Sequence, residues 1–413
     1  MDNRAQDVRV ALESANVPSP RVDLVRAVEA GTRVRRRRWY AAAGGVTALA
    51  MVGTFALAQA LGAPPAQGPD GIDTLAGDPV KPYTNCTVRT LPMPDAQEFA
   101  GYVAADPTGR YAVGGVAERD GSTRAVLWTD GKPQVLDVRA KTVEARDVNA
   151  AGVVVGSATA ENGREFAWIY RDGAVRELRV TGLPGSATAR AVNERGDVLG
   201  GVWTSKRSMT VVWTGEDLGS VVQVRTTGDP GPRDIAEDGT LVGGTQSEAS
   251  AKPGRPMVWT PDGTPKQLDV PAGFTGGHAT AVRGGWAIGW LSKAATEQYA
   301  TDAPLTIKPQ TNPTRVAMDV STSIPARWEL STGAVTTWPE RAGPAEAVNA
   351  AGWAVLTSPP GGGPAAVVRD GQVYEVAGSA NGFPMTISDD GRHLYGMPTG
   401  SDRAGMDLLL WTC

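Results

Sequence analysis

The segment VNAAGVVVGSATAENGREFAWIYRDGAVREL, residues 148–178, holds the pattern from which most of the chain can be read. It opens with a turn, Asn149-x-x-Gly152, and continues into the β run VVVGSA. An apolar run ending near Trp168 follows, then an Asp172-Gly173 turn and a final alternating strand. With the strand ahead of the first turn this makes four strands. Asn, Asp and Gly stand where tight turns need positive φ. The apolar third strand suits burial on both faces, and the alternating fourth suits an outer edge with one wet face.

The pattern recurs. Turns appear at Asp106-x-x-Gly109, Asn193-x-x-Gly196, Asp238-Gly239, Gly284-Gly285, Asn349-x-x-Gly352 and Asp390-Gly391. Successive turn glycines are spaced 43, 44, 43, 46, 67 and 39 residues apart. Most third strands end in Trp: Trp128, Trp168, Trp213, Trp259, Trp328 and Trp411. These Trp are expected in the packing between units rather than on a sugar-binding surface. Four antiparallel strands at a period of about 40–45 residues predict a β-propeller blade, which buries its faces only against neighbours. The expected fold is all-β, a seven-bladed propeller of four-stranded antiparallel blades over residues 84–413.

The seventh unit starts at Met385-Thr386-Ile387-Ser388 and ends at Trp411-Thr412-Cys413, one strand short. Residues 86–91, CTVRTL, form a strand ahead of the first unit with no partner of their own. The two shortfalls match, so the N-terminal strand is expected to complete the last blade. A Cys86–Cys413 disulfide would then replace the missing hairpin at the ring closure; two separate thiols are the alternative.

These repeats resemble the bacterial extracellular HAF-type repeats, whose units run Ile-Asn-x-x-Gly-x-Val-Val-Gly, then an Ala-Phe-Leu-Trp-like strand. The resemblance covers about residues 86–413 and is clearest from Ala145 and Ala189. The fifth unit lacks the Asn, and the sixth lacks the Trp. The resemblance implies a secreted or surface propeller and brings no catalytic residues.

Charge is unevenly placed over the 413 residues, whose formal net charge is −4. Residues 1–38 carry nine Arg against five acidic residues, 39–61 carry no charge, and 62–413 are acidic on balance. The apolar stretch WYAAAGGVTALAMVGTFALAQAL, 39–61, is long enough for a transmembrane helix. Arg33 and Arg35 to Arg38 precede it, so the expected topology has residues 1–38 as a short helical cytoplasmic tail. The C-terminal body would then lie outside, with the cell membrane itself as a partner. A signal peptide cleaved after Ala58 or Ala60 is the alternative. Residues 62–83, rich in Pro, Gly and Asp, read as a linker.

The acidic body argues against nucleic acid. Two Cys and two His leave no usual zinc site. His278 and His393 fall in different units, and neither a Gly-x-Ser-x-Gly elbow nor a calcium loop is present. No cofactor and no metal are expected. Aligning the units puts Arg146, Arg190 and Arg233 at one register position of the innermost strand, with Thr280 and Glu346 at the same position in the fifth and sixth units. Innermost strands line the pore, so these Arg could hold a carboxylate or phosphate, or could pair with Glu144, Asp147 or Asp234. Loops joining fourth to first strands share a face with the long insertion 292–323. That face offers Trp203, Lys206, Arg207, Tyr299 and Asp302 as further candidates. The expected function is a non-catalytic module that binds an extracellular protein, peptide or glycan; the alternative is a hydrolase or lyase acting on envelope glycan.

Overall fold

The computed structural model describes residues 83–413 apart from 95–97, 184, 206–207, 216–217, 219, 225–230, 246–253, 294–322, 342, 358–362 and 399–406. The expected tail, membrane helix and linker up to residue 82 lie outside the described residues. Among the described residues no helix is long and apolar enough to cross a membrane.

The described strands form seven four-stranded antiparallel sheets. In six of them the strands follow chain order. The seventh joins both chain ends: Thr87–Thr90 pairs with Leu409–Thr412, with Thr87 opposite Thr412. Cys86 and Cys413, adjacent to this pairing, are bonded to each other across 327 residues of sequence. The expected closure is present. Tyr83, the last residue of the expected linker, is buried in the seam between this last blade and the sixth and accepts a hydrogen bond from the Ala377 amide.

The apolar core is divided among seven seams, one between each pair of neighbouring blades. One seam joins Tyr395, Leu408 and Leu410 of blade 7 to Phe99, Val116 and Trp128 of blade 1, so the sheets form a ring rather than an open stack. All six third-strand Trp are buried. The indoles of Trp128, Trp213 and Trp328 donate to the carbonyls of Pro92, Arg179 and Asp269, at the end of the preceding blade's outer strand. Trp168 departs from the repeat. It lies opposite Gly156, whereas Tyr170, opposite Val154, takes the position that Trp213 holds opposite Val198. The run EFAWIY is two residues longer past its Trp, and the indole Nε1 of Trp168 has no hydrogen-bond partner among the described residues.

The Asp-Gly hairpins behave as their chemistry requires: Asp130-Gly131, Asp172-Gly173 and Asp370-Gly371 all have positive φ at both residues. Blade 7 differs slightly from expectation. Its innermost strand is Gly382–Pro384. The amides of Met385 and Thr386 both donate to the carbonyl of Tyr395, so Met385 to Ser388 follow the strand as an irregular extension.

Candidate binding channel

In blades 2 to 6 the innermost strands are Thr142–Val148, Ser186–Val192, Gly231–Ile235, Phe274–Arg283 and Ala345–Val348. Each carries a β-bulge at the same place. The pairing skips one residue between Ala145 and Asp147, Ala189 and Ala191, Pro232 and Asp234, Ala279 and Ala281, and Ala345 and Ala347. The skipped residues are Arg146, Arg190, Arg233, Thr280 and Glu346, the register position singled out from the sequence. A bulge frees one residue from the ladder and re-aims its side chain. Here the freed residues line one cavity of about 320 Å³ walled by the innermost strands of all seven blades, with Val103 and Met385 completing the circle. The structure therefore brings together Arg146, Arg190, Arg233 and Glu346. The Arg stand on three consecutive blades, and Glu346 stands across the ring from them.

The bulge has a sequence cost on the neighbouring strand. A Cβ on Gly200 would lie 2.1 Å from the carbonyl oxygen of Thr188, and one on Gly156 would lie 2.0 Å from that of Glu144. The Gly of each Val-Val-Gly or Val-Leu-Gly run is what lets the bulged strand approach.

Arg146 is partly committed: it pairs with Glu144 and stacks over the ring of Tyr102 at 4.1 Å. Asp147 and Asp234, the other acids considered as Arg partners, do something else. Asp147 accepts from the amides of Val148 and of Val192 on the next blade, both at 2.8 Å. Asp234 does the same with Ile235 and Val282, also at 2.8 Å. Each carboxylate laces two innermost strands together. Burial raises the pKa of Asp147 well above the usual carboxylate range, with the nearby Asp234 adding to it. Burial raises that of Asp234 to about 6 against the lowering effect of its two amides. Glu346 is pushed up to about 7 by burial. Glu346 is half-buried, with protein around it and part of its surface open to the channel.

Arg283 was not foreseen from the sequence. It stands where the other units have Asn: Asn149, Asn193 and Asn349 each donate to a turn carbonyl of the next blade. Arg283 instead reaches across the channel mouth. It makes a two-pronged contact with Asp389 of blade 7, ion-pairs with Glu237 of blade 4 at 3.0 Å, and lies 3.6 Å from Glu194 of blade 3. Burial works against its charge, but these acids more than offset it and raise its pKa. The missing Asn of the fifth unit was the available signal. The acidic mouth is thus compensated by one Arg, and the guanidinium wall lies further in.

The loop-face candidates fare differently. Trp203 ends a second strand opposite Ser186 and Ser208 and does not line the channel. Lys206, Arg207, Tyr299 and Asp302 lie outside the described residues. Among the described residues no cluster of His, Cys, Asp and Glu has the geometry to hold a metal ion.

No protein-family model and no curated protein sequence matches the chain. Solved structures similar to it include the β-propeller domain of the trilobed protease from Pyrococcus furiosus, at 10% identity and TM-score 0.48, covering 77% of this chain and 94% of that one. A gluconolactonase from Xanthomonas campestris matches at 14% identity and TM-score 0.40, covering 80% and 90%. A putative TolB from Agrobacterium tumefaciens matches at 13% identity and TM-score 0.39, covering 60% and 83%. At such identities and TM-scores these likenesses carry no argument about this chain, whose propeller fold stands on its own sheets and seams.

Proposed function

We propose that this chain is a non-catalytic binding module, held at the cell surface by its apolar segment 39–61, whose recognition site is the central channel. The ligand presents a carboxylate or phosphate to the guanidinium wall. The observation that carries this reading is that Arg146, Arg190 and Arg233, each freed from its ladder by a bulge, line one cavity. Planar guanidinium groups hold oxyanions bidentately. The cavity volume lies at the small end of the usual range for ligand sites. The outward placement rests on the charge pattern of residues 1–61 and on the resemblance of the repeats.

A hydrolase or lyase acting on glycan is the second reading, and Glu346 is what favours it. A carboxyl with pKa about 7 has the right acidity for a general acid. Glycoside cleavage needs a second carboxylate. The channel's other acids are engaged: Asp147 and Asp234 with backbone amides, Glu194 and Glu237 at the mouth with Arg283.

The test is calorimetric titration of the full chain with inorganic phosphate, N-acetylglycine and a uronic acid disaccharide, each beside a neutral counterpart. At least one anion is expected to bind, and the Arg190→Gln/Arg233→Gln double variant to weaken it by about tenfold or more. Release of new reducing ends from the disaccharide, lost in Glu346→Gln, would instead establish the enzyme reading. Equal binding of anions and neutral counterparts would remove the anion site.

A further inference from the structure

Glu346 poses a question that anion binding alone leaves unanswered. It faces the same cavity as the guanidinium wall, from a blade on the other side of the ring. Among the described residues it has no hydrogen-bond or ion-pair partner, unlike every other acid of the channel. Its neighbours at the same level are Thr280 on blade 5 and Met385 on blade 7, neither a cation. Enclosing a carboxyl without a partner is unfavourable, and an anionic ligand placed nearby would make it more so. A cationic group on the ligand reverses both effects. On this side of the ring Val103 of blade 1 and Met385 and Ile387 of blade 7 offer a short hydrocarbon stem an apolar surface to lie on, and the one polar side chain among them, Thr386, accepts from the Tyr395 amide.

We propose that the channel binds a small zwitterion, a free amino acid or short peptide, spanning the ring with its carboxylate toward Arg190 and Arg233 and its ammonium on Glu346. This rests on the binding-module reading and specifies its ligand. Thr280, next to Glu346 on the inner wall, uses its hydroxyl within 3.5 Å of the Ile288 and Ala345 carbonyls. Its one proton is thus committed to the wall, and its oxygen lone pairs are left as a further acceptor for the ammonium beside Glu346.

The experiment titrates the full chain at about pH 7.5, where the Glu346 carboxyl is mostly ionised and a peptide α-amino group, with its pKa of about 7.7–8.0, is still mostly protonated. Its three probes are glycylglycine, N-acetylglycylglycine, which lacks the amine, and glycylglycinamide, which lacks the carboxylate. Glycylglycine is expected to bind at least about tenfold more tightly than either derivative. In Glu346→Gln, which keeps shape and removes charge, the preference over the acetylated peptide should vanish while the preference over the amide persists. In Arg190→Gln/Arg233→Gln the reverse should hold. Thermal melting of each variant confirms folding. If glycylglycine and its acetylated form bind the unmodified chain equally, the ammonium site is wrong while the anion site stands. If none of the three binds but phosphate or N-acetylglycine does, the zwitterion is likewise excluded. If no anion of either panel binds, the binding-module reading itself fails.

Discussion

Glu346 keeps its proton in the folded chain up to about pH 7, whereas in the unfolded chain it ionises near the ordinary Glu value. The folded state therefore binds more protons between those two values, and folding stability falls as pH rises from about 4 to about 7. Asp234, with its pKa near 6, adds to the same slope, as does Asp147. Glu346→Gln should leave stability unchanged at pH 4. At pH 8 it should raise stability by about 1–2 kcal/mol, a figure reduced for the channel water that screens the charge. Urea midpoints at the two pH values check this; a variant that is destabilised equally at both would show that the carboxyl is paired. Position 346 was legible from the repeat register, because Glu stands there where other units carry Arg. Its state was not, because desolvation depends on how seven strands from distant parts of the chain enclose it.

Within a blade, the element that makes the site is the bulged pair of inner strands. The repeat Gly and the bulged residue are two halves of one device: the strand bearing Gly200 approaches the bulge at Arg190 only because no side chain intervenes. Gly200→Ala would drive a Cβ into the Thr188 carbonyl. We expect a loss of about 2–4 kcal/mol, typical of forced backbone shifts in a packed interior, with loss of anion binding in whatever fraction still folds. Gly173→Ala in the exposed hairpin strains the backbone at φ 79° but meets nothing within 4 Å. It should cost about 1 kcal/mol and spare binding. Denaturation midpoints with parallel titrations distinguish the two. The Val-Val-Gly motif was visible in the sequence as a strand signal. That its Gly marks a bulge was not, since only the pairing register reveals which residue is skipped.

The ring as a whole is closed by the pairing of chain ends and by one covalent bond. Cys86–Cys413 restrains a loop of more than 300 residues in the unfolded chain, which in the entropy model is worth about 5 kcal/mol. Cys86→Ser/Cys413→Ser should lower stability by up to that amount. Hydrogen exchange should quicken first in Thr87–Thr90 and Leu409–Thr412, the strands whose pairing the bond secures, while Thr142–Val148 and Ser186–Val192 stay protected. Uniform loss of protection across all blades would show instead that the ring opens as one unit. The seams also differ. Asn149, Asn193 and Asn349 lace their blades to the next, blade 4 has Ala236 at that position, and a groove of about 530 Å³ runs along its junction with blade 5.

Strand count, blade count, the Asp-Gly hairpins and the completing role of residues 86–91 followed from the order of residues alone. They depend on local turn chemistry and on a period that repeats along the chain. The reach of Arg283 to acids on three other blades, the engagement of Asp147 and Asp234 with neighbouring amides, and the isolation of Glu346 came only from the folded ring. Each is a relation between residues tens to hundreds of positions apart. Closure of the circle, rather than any local preference, sets the distances between them and the water left around their charges.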